Sequence, residues 1–207
     1  MRSRLRVRSA VASALAIVTW AAVPFASTDP PLAIDSARIT IAGTSNIHAY
    51  TASTTAIRVV QSQIGVAQPS TALWESALKP GGVGAFEIAI PAATLSSPKE
   101  GLNKNMHKAL KVQQHPDIMF RLLRLEPQEN GLGRTRAVGV LHIAGAAREI
   151  ALDLRTQTAG STLSVKGEVE LLMTDYGITP PKAMLGMLRT DPKVKVTFEA
   201  VIAIALT

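Results

Sequence analysis

The chain has 207 residues, 22 basic against 15 acidic side chains, a formal net charge of +7 and no cysteine. That length suits one domain with a sizeable core, and the missing cysteine excludes disulfides, thiolate chemistry and a lipidated N-terminal cysteine. The excess charge carries little weight for nucleic acid, because four of the arginines sit in the first eight residues and the remainder holds 18 basic against 15 acidic residues with no basic stripe.

Residues 1–26 read as a secretory signal peptide. Arg2, Arg4, Arg6 and Arg8 precede an apolar run over 10–26, and polar residues follow at Ser27-Thr28-Asp29. An uncleaved anchor is the alternative, since Pro24 stands three residues before Ala26 and suits cleavage poorly. Residues 27–32, with Pro30-Pro31, read as a linker, and 33–207 as a single domain. Export places the expected location in a periplasm or outside the cell.

The domain is expected to be all-β. Period-two alternation marks strands at 34–42, 49–60, 84–90, 118–126, 135–143, 148–157, 162–173 and 194–205. In the last, Val194, Val196, Phe198, Ala200, Ile202 and Ile204 oppose Lys195, Thr197 and Glu199. Ile150, Leu152 and Leu154 oppose Glu149, Asp153 and Arg155 in the same way, and Val165, Val169, Leu171 and Met173 oppose Lys166, Glu168 and Glu170. Turn signals at Lys79-Pro80-Gly81-Gly82, Glu129-Asn130-Gly131 and Ala159-Gly160 imply antiparallel connections. Two segments read as short helices. One is 101–111, with Leu102, Met106 and Leu110 on one face; the other is 181–188, opened by Pro181.

Eight amphipathic antiparallel strands must bury one face each, which predicts a closed, lipocalin-like β-barrel wide enough for side chains or one small ligand. Only Tyr50, Phe86, Phe120 and Phe198 place aromatics on these strands. A barrel lined by small residues leaves a void that an apolar ligand fills; an alanine-rich genome is the other explanation of the composition.

Chemistry-bearing patterns are sparse. His48, His107, His115 and His142 show no metal-ligand spacing; His107 and His115 are expected to be exposed, and His142 to face outward. Gly81-Gly82-Val83-Gly84 lacks the following lysine of a phosphate loop. No catalytic residue, metal or cofactor is expected. Asp175-Tyr176-Gly177 is either a strand end with its turn, or a site where Tyr176 stands at the barrel mouth with its ring on lipid and its hydroxyl on a polar head. His48 and Tyr50 share a face, as a polar pair or as head-group contacts.

Four stretches together resemble the YceI-like, polyisoprenoid-binding family over about residues 33–205. They are Gly43-Thr44-Ser45-Asn46-Ile47-His48; Met106-His107-Lys108-Ala109-Leu110-Lys111 through His115-Pro116-Asp117-Ile118-Met119-Phe120; Gly139-Val140-Leu141-His142-Ile143-Ala144-Gly145 into Arg148-Glu149-Ile150; and Met173-Thr174-Asp175-Tyr176-Gly177-Ile178 through Pro181 and Ala183 to Gly186. Ala49, Tyr50 and Ala147 depart from the family's usual acid, tryptophan and threonine. The resemblance implies a lipocalin-like barrel and an exported, non-enzymatic protein holding a long-chain amphiphile, with a polyisoprenoid first among the candidates. Its tail would lie among Phe86, Ile88, Phe120, Leu141, Leu152, Leu171 and Phe198, with Leu102, Met106 and Leu110 closing one side and Tyr50 and Tyr176 at the mouth. A lipid cargo implies transient membrane contact and no nucleic-acid partner. The oligomeric state stays open, a dimer included. The rival reading is a packed barrel without ligand, serving structure or protein interaction.

Overall fold

The computed structural model describes residues 32–64, 73–128, 133–183 and 187–204. The expected signal peptide and residues 27–31 of the expected linker lie outside the described residues, as do Met184, Leu185 and Gly186. Leu32, read as the linker's last residue, already belongs to the first strand and is buried.

The alternation produces one antiparallel sheet. Its strands are β1 (Leu32–Ser45), β2 (Ala49–Thr54), β3 (Arg58–Ile64), β4 (Val83–Pro91), β5 (Asp117–Pro127), β6 (Arg134–Ile143), β7 (Ala146–Ala159), β8 (Thr162–Leu172), β9 (Lys182–Ala183) and β10 (Leu188–Ile204). Nine of them run in the spatial order β2-β1-β10-β8-β7-β6-β5-β4-β3, while the two-residue β9 pairs only with β10. The sheet is a curled half-barrel, which corrects the expectation of eight strands in a closed barrel on both points: among the described residues nine strands lie along the hydrogen-bonded ladder, and the ladder ends at β2 and β3. The Leu32 N–H donates to Ser62 Oγ (3.1 Å) from β1 toward β3 across that gap.

The extra strand comes from a break in the segment read as a single strand over 49–60. Thr54 Oγ1 accepts from the Ala56 N–H (3.0 Å) and shares a hydrogen bond with Thr94 Oγ1 (2.7 Å). This local turn offers the backbone an alternative to the ladder. Before the break β2 pairs with β1, and after it β3 pairs with β4.

The strand faces sort as the alternation demands. Along β10, Lys195, Thr197 and Glu199 are exposed while Val194 is buried and Val196, Phe198, Ala200 and Ile202 are half-buried. The outer face carries ion pairs between neighbouring strands, Lys166–Glu199 (3.5 Å), Lys193–Glu170 (3.0 Å), Lys195–Glu168 (2.8 Å) and Arg136–Asp153 (2.8 Å) among them. Exposed pairs of this kind contribute about 0–1 kcal/mol each and serve mainly to fix register. The β6–β7 hairpin closes through Ala144 (φ 51°) and Gly145 (φ 87°), the double positive φ of a type I′ turn.

Two helices lie at opposite ends of the curl. Helix α1 (Leu73–Ala77) was not expected; helix α2 (Glu100–Ala109) lies where 101–111 was read as helical. The helix expected over 181–188 is not formed at its ends: Lys182 and Ala183 pair as strand with Arg189 and Leu188. Strand pairing here overrides the apolar spacing and the Pro181 start, since helix propensity is a weak prior.

Candidate functional site

Strand register fixes which residues gather at each end. Leu32, Val83, Thr162 and Ile204 mark one end; Ser45, Pro91, Asp117, Ile143, Ala146 and Leu172 mark the other. Between them, inside the curl, lies a cavity of about 520 Å³ with an almost wholly apolar wall. Small-ligand pockets run from about 300 to 1,000 Å³.

Buried side chains form two clusters, one toward each end. The larger includes Ile90, Leu95, Leu110, Phe120, Leu141 and Tyr176. The smaller joins Leu32, Leu73, Trp74, Ala77, Leu163 and Val165. Phe198 packs against both. Inward residues at mid-strand such as Ile88, Leu152, Val196 and Phe198, and Leu171 near the end of β8, are only half-buried and line the cavity. In a core packed to ordinary protein density such residues would touch neighbours on all sides. Here they pack against the buried clusters on one side and face the cavity on the other.

The aromatic side chains explain how that space stays open. Tyr50 lies against Gly43, Phe120 against Gly139 and Phe198 against Gly167, each glycine on the adjoining strand. A Cβ on Gly167 would stand 2.5 Å from the Phe198 ring, and one on Gly43 or Gly139 would overlap the ring beside it. Each ring is therefore laid along the wall over a missing side chain, and little of it projects inward. The cross-strand pairs Gly43↔Tyr50 and Gly167↔Phe198 carry a sequence signal, but it requires the register to be known.

All twelve residues singled out from the sequence line this one cavity: Tyr50, Phe86, Ile88, Leu102, Met106 and Leu110, together with Phe120, Leu141, Leu152, Leu171, Tyr176 and Phe198. Sequence reading missed Trp74, Ala77 and Leu78, which line the cavity at its α1 end, and Leu73, buried beside them. Leu73, Trp74, Ala77 and Leu78 have the spacing of one helical face, a signal obscured by the helix's five-residue length.

Helix α2 covers the other end. Its lining residues Leu102 and Met106 are half-buried, and no residue within it is fully buried. Polar bonds hold its flanks. Asn103 Oδ1 accepts from the Ser97 N–H (2.7 Å) and Asn103 Nδ2 donates to Ser97 O (3.0 Å), while His107 Nε2 lies 2.8 Å from Leu95 O. His107 is thus half-buried, and so is His115, beside Gly145; both were expected to be exposed, and the packing of this loop encloses them. The exposed lining residues His48, Lys99, Asn105 and Lys182 gather here, so the cavity opens at the α2 end.

Tyr50 and Tyr176 differ sharply. Tyr50 is half-buried near the opening, and its phenol is pushed above the ordinary tyrosine range by burial first and by Asp191 second. Tyr176 does not stand at a mouth. It is 3% exposed, because the 3-10 turn Met173–Tyr176 and the αL residue Gly177 fold its ring inward, against the larger cluster. Its hydroxyl has no hydrogen-bond partner among the described residues, and neither does the Trp74 indole N–H toward the opposite end. Burial, then Asp175, raises the Tyr176 phenol, with Arg148 opposing.

A family model for the YceI-like domain matches residues 33–202. The chain belongs to the YceI-like domain family. Solved structures share this YceI-like fold at low identity. BcnA of Burkholderia cenocepacia superposes with a TM-score of 0.63 at 13% identity, covering 81% of this chain and 96% of that one. A polyisoprenoid-binding domain from Saccharophagus degradans, implicated in plant cell wall breakdown, gives 0.61 at 12%, covering 86% and 100%. The YceI protein of Campylobacter jejuni gives 0.52 at 14%, covering 72% and 86%. No curated protein sequence matches the chain.

Proposed function

We propose that this YceI-like chain is an exported carrier that holds the tail of a long-chain amphiphile, with a polyisoprenoid as the leading class. The observation that carries the reading is the apolar void of about 520 Å³ lined by half-buried side chains at mid-strand. An unfilled apolar cavity forfeits dispersion contacts along its walls, and an apolar guest restores them. Each buried CH₂ would contribute about 0.8 kcal/mol, so affinity rises with chain length until the cavity is full. The same void weighs against a packed module without ligand. The polyisoprenoid class is supported by the family and by the Saccharophagus degradans domain.

The protein is a binder and not a catalyst in this reading. Of the titratable groups in the lining, His48, Lys99 and Lys182 stand exposed at the opening and Glu199 is exposed on β10, which leaves Tyr50 and Tyr176, both with phenols raised above the ordinary range. The Arg-rich start and apolar run of 1–26 support export to a periplasm or beyond the cell, with a mature N-terminus between Ser27 and Leu32.

Extraction and mass spectrometry of the purified protein test the carrier reading. Wild type is expected to retain lipid. Leu171→Trp, which fills space beside the void without adding charge, is expected to fold and retain little. A wild type that carries no lipid and takes up no prenyl chain from solution would overturn it.

A further inference from the structure

The outer surface is uneven in its charges. On the strands, Arg58, Arg121, Arg124, Arg136, Lys166, Lys193 and Lys195 each pair with a carboxylate, while the exposed Arg38, Arg134, Arg148 and Arg155, spread over three strands, have no ion pair among the described residues. At the α2 end, Lys99, Lys104, Lys108 and Lys111 are exposed on and beside a helix that carries a single acid, Glu100. None of these four, nor Lys182 across the opening, has an ion-pair partner among the described residues.

Apolar side chains stand out of the same end. The two most exposed large hydrophobics among the described residues are Met187 (68%) and Ile47 (59%). They occupy neighbouring loops tied together by Asn46, whose Nδ2 donates to Met187 O (2.8 Å) and whose Oδ1 accepts from the Arg189 N–H (2.8 Å). Leu172, also exposed, ends β8 at this end. Unpaired lysines and projecting apolar side chains around the opening of an apolar cavity complement one surface chemistry. An anionic bilayer attracts the ammonium groups and accepts the apolar tips in its interface.

We infer that the α2 end is a docking surface for an anionic lipid bilayer, which brings the cavity opening against the membrane so that a lipid tail passes between them without crossing water. The inference rests on the carrier reading for its purpose, but docking is measured separately from cargo. Lys104 and Lys108 supply attraction, about fivefold in binding per lysine near an anionic surface. Ile47 and Met187 supply insertion.

The test is flotation of the mature chain with vesicles of phosphatidylcholine alone, and with vesicles of phosphatidylcholine and phosphatidylglycerol in equal parts, at low and high salt. Wild type is expected to float with the anionic vesicles, less so at high salt, and weakly with the neutral ones. Lys104→Gln with Lys108→Gln is expected to lower anionic binding about tenfold or more. Ile47→Ser with Met187→Ser is expected to lower it as well, and less steeply with salt. Arg134→Gln with Arg155→Gln, an exposed cationic pair at the opposite end, is expected to leave it unchanged. Equal binding to both vesicle types, no binding to either, or an equal loss from the Arg134/Arg155 variant would overturn the inference. Docking by a protein without extractable lipid would keep this surface and remove the carrier reading. Lipid retention without docking would do the reverse.

Discussion

At one end of the half-barrel, helix α1 buries Leu73, Trp74 and Ala77 almost completely. At the other, α2 covers the cavity with half-buried Leu102 and Met106, held by polar bonds at its flanks and surrounded by unpaired lysines. The two helices therefore do different work with similar means. A short helix with fully buried residues acts as a plug, whose removal exposes core. A longer helix without a buried residue of its own has little apolar area to lose on shifting, and elements of this kind open at the lowest free energy. Of the two helices, the one at the sealed end is buried and the one at the open end is not.

The contrast is sharpest in stability. Trp74→Ala should cost about 3–5 kcal/mol, the range for a fully buried tryptophan. Met106→Ala, at a half-buried position facing the cavity, should cost about 1 kcal/mol, below the fully buried range of 2–5 kcal/mol. Denaturant melts of both variants check this, and equal losses would mean that α2 is as firmly packed as α1.

A smaller effect separates the two tyrosines. Because the Tyr176 hydroxyl is buried without a partner among the described residues, Tyr176→Phe removes an unsatisfied group. It should leave stability within about 0.5 kcal/mol or raise it by up to about 1 kcal/mol. The alkaline limb follows from its raised phenol. The unfolded chain releases the tyrosine proton near pH 10 while the folded chain holds it longer, so stability is intact below about pH 10 and falls as pH rises through the folded value. The variant should lose less stability than wild type across that limb, with Tyr50 supplying the remainder. A clear loss of stability at neutral pH would show that the hydroxyl has a partner after all.

Much of the fold was legible because period-two alternation survives tertiary packing: the inward sets of β7, β8 and β10 lie on the cavity side as read. The break between β2 and β3 was not legible, since it depends on Thr54 meeting Thr94 from 40 residues away. Nor was the pairing of Lys182–Ala183 with Leu188–Arg189, which overrode a helical pattern. At the site, the lining was legible as an apolar face, but the void was not. Its existence depends on aromatic rings lying over glycines of neighbouring strands, and composition alone does not distinguish that arrangement from a core filled by alanines. For Tyr176 the sequence offers a turn or a place at the mouth as alternatives; the turn is formed, and the ring is buried.

The carrier reading is met most directly by the melting temperature of delipidated wild type titrated with prenyl chains of increasing length. A guest that binds only the folded state stabilises it by RT ln(1 + [L]/Kd). The melting temperature should therefore climb with chain length, level off once the cavity is full, and stay flat for Leu171→Trp. A melting temperature unchanged by every chain, or raised equally in wild type and Leu171→Trp, would contradict a lipid held inside the half-barrel.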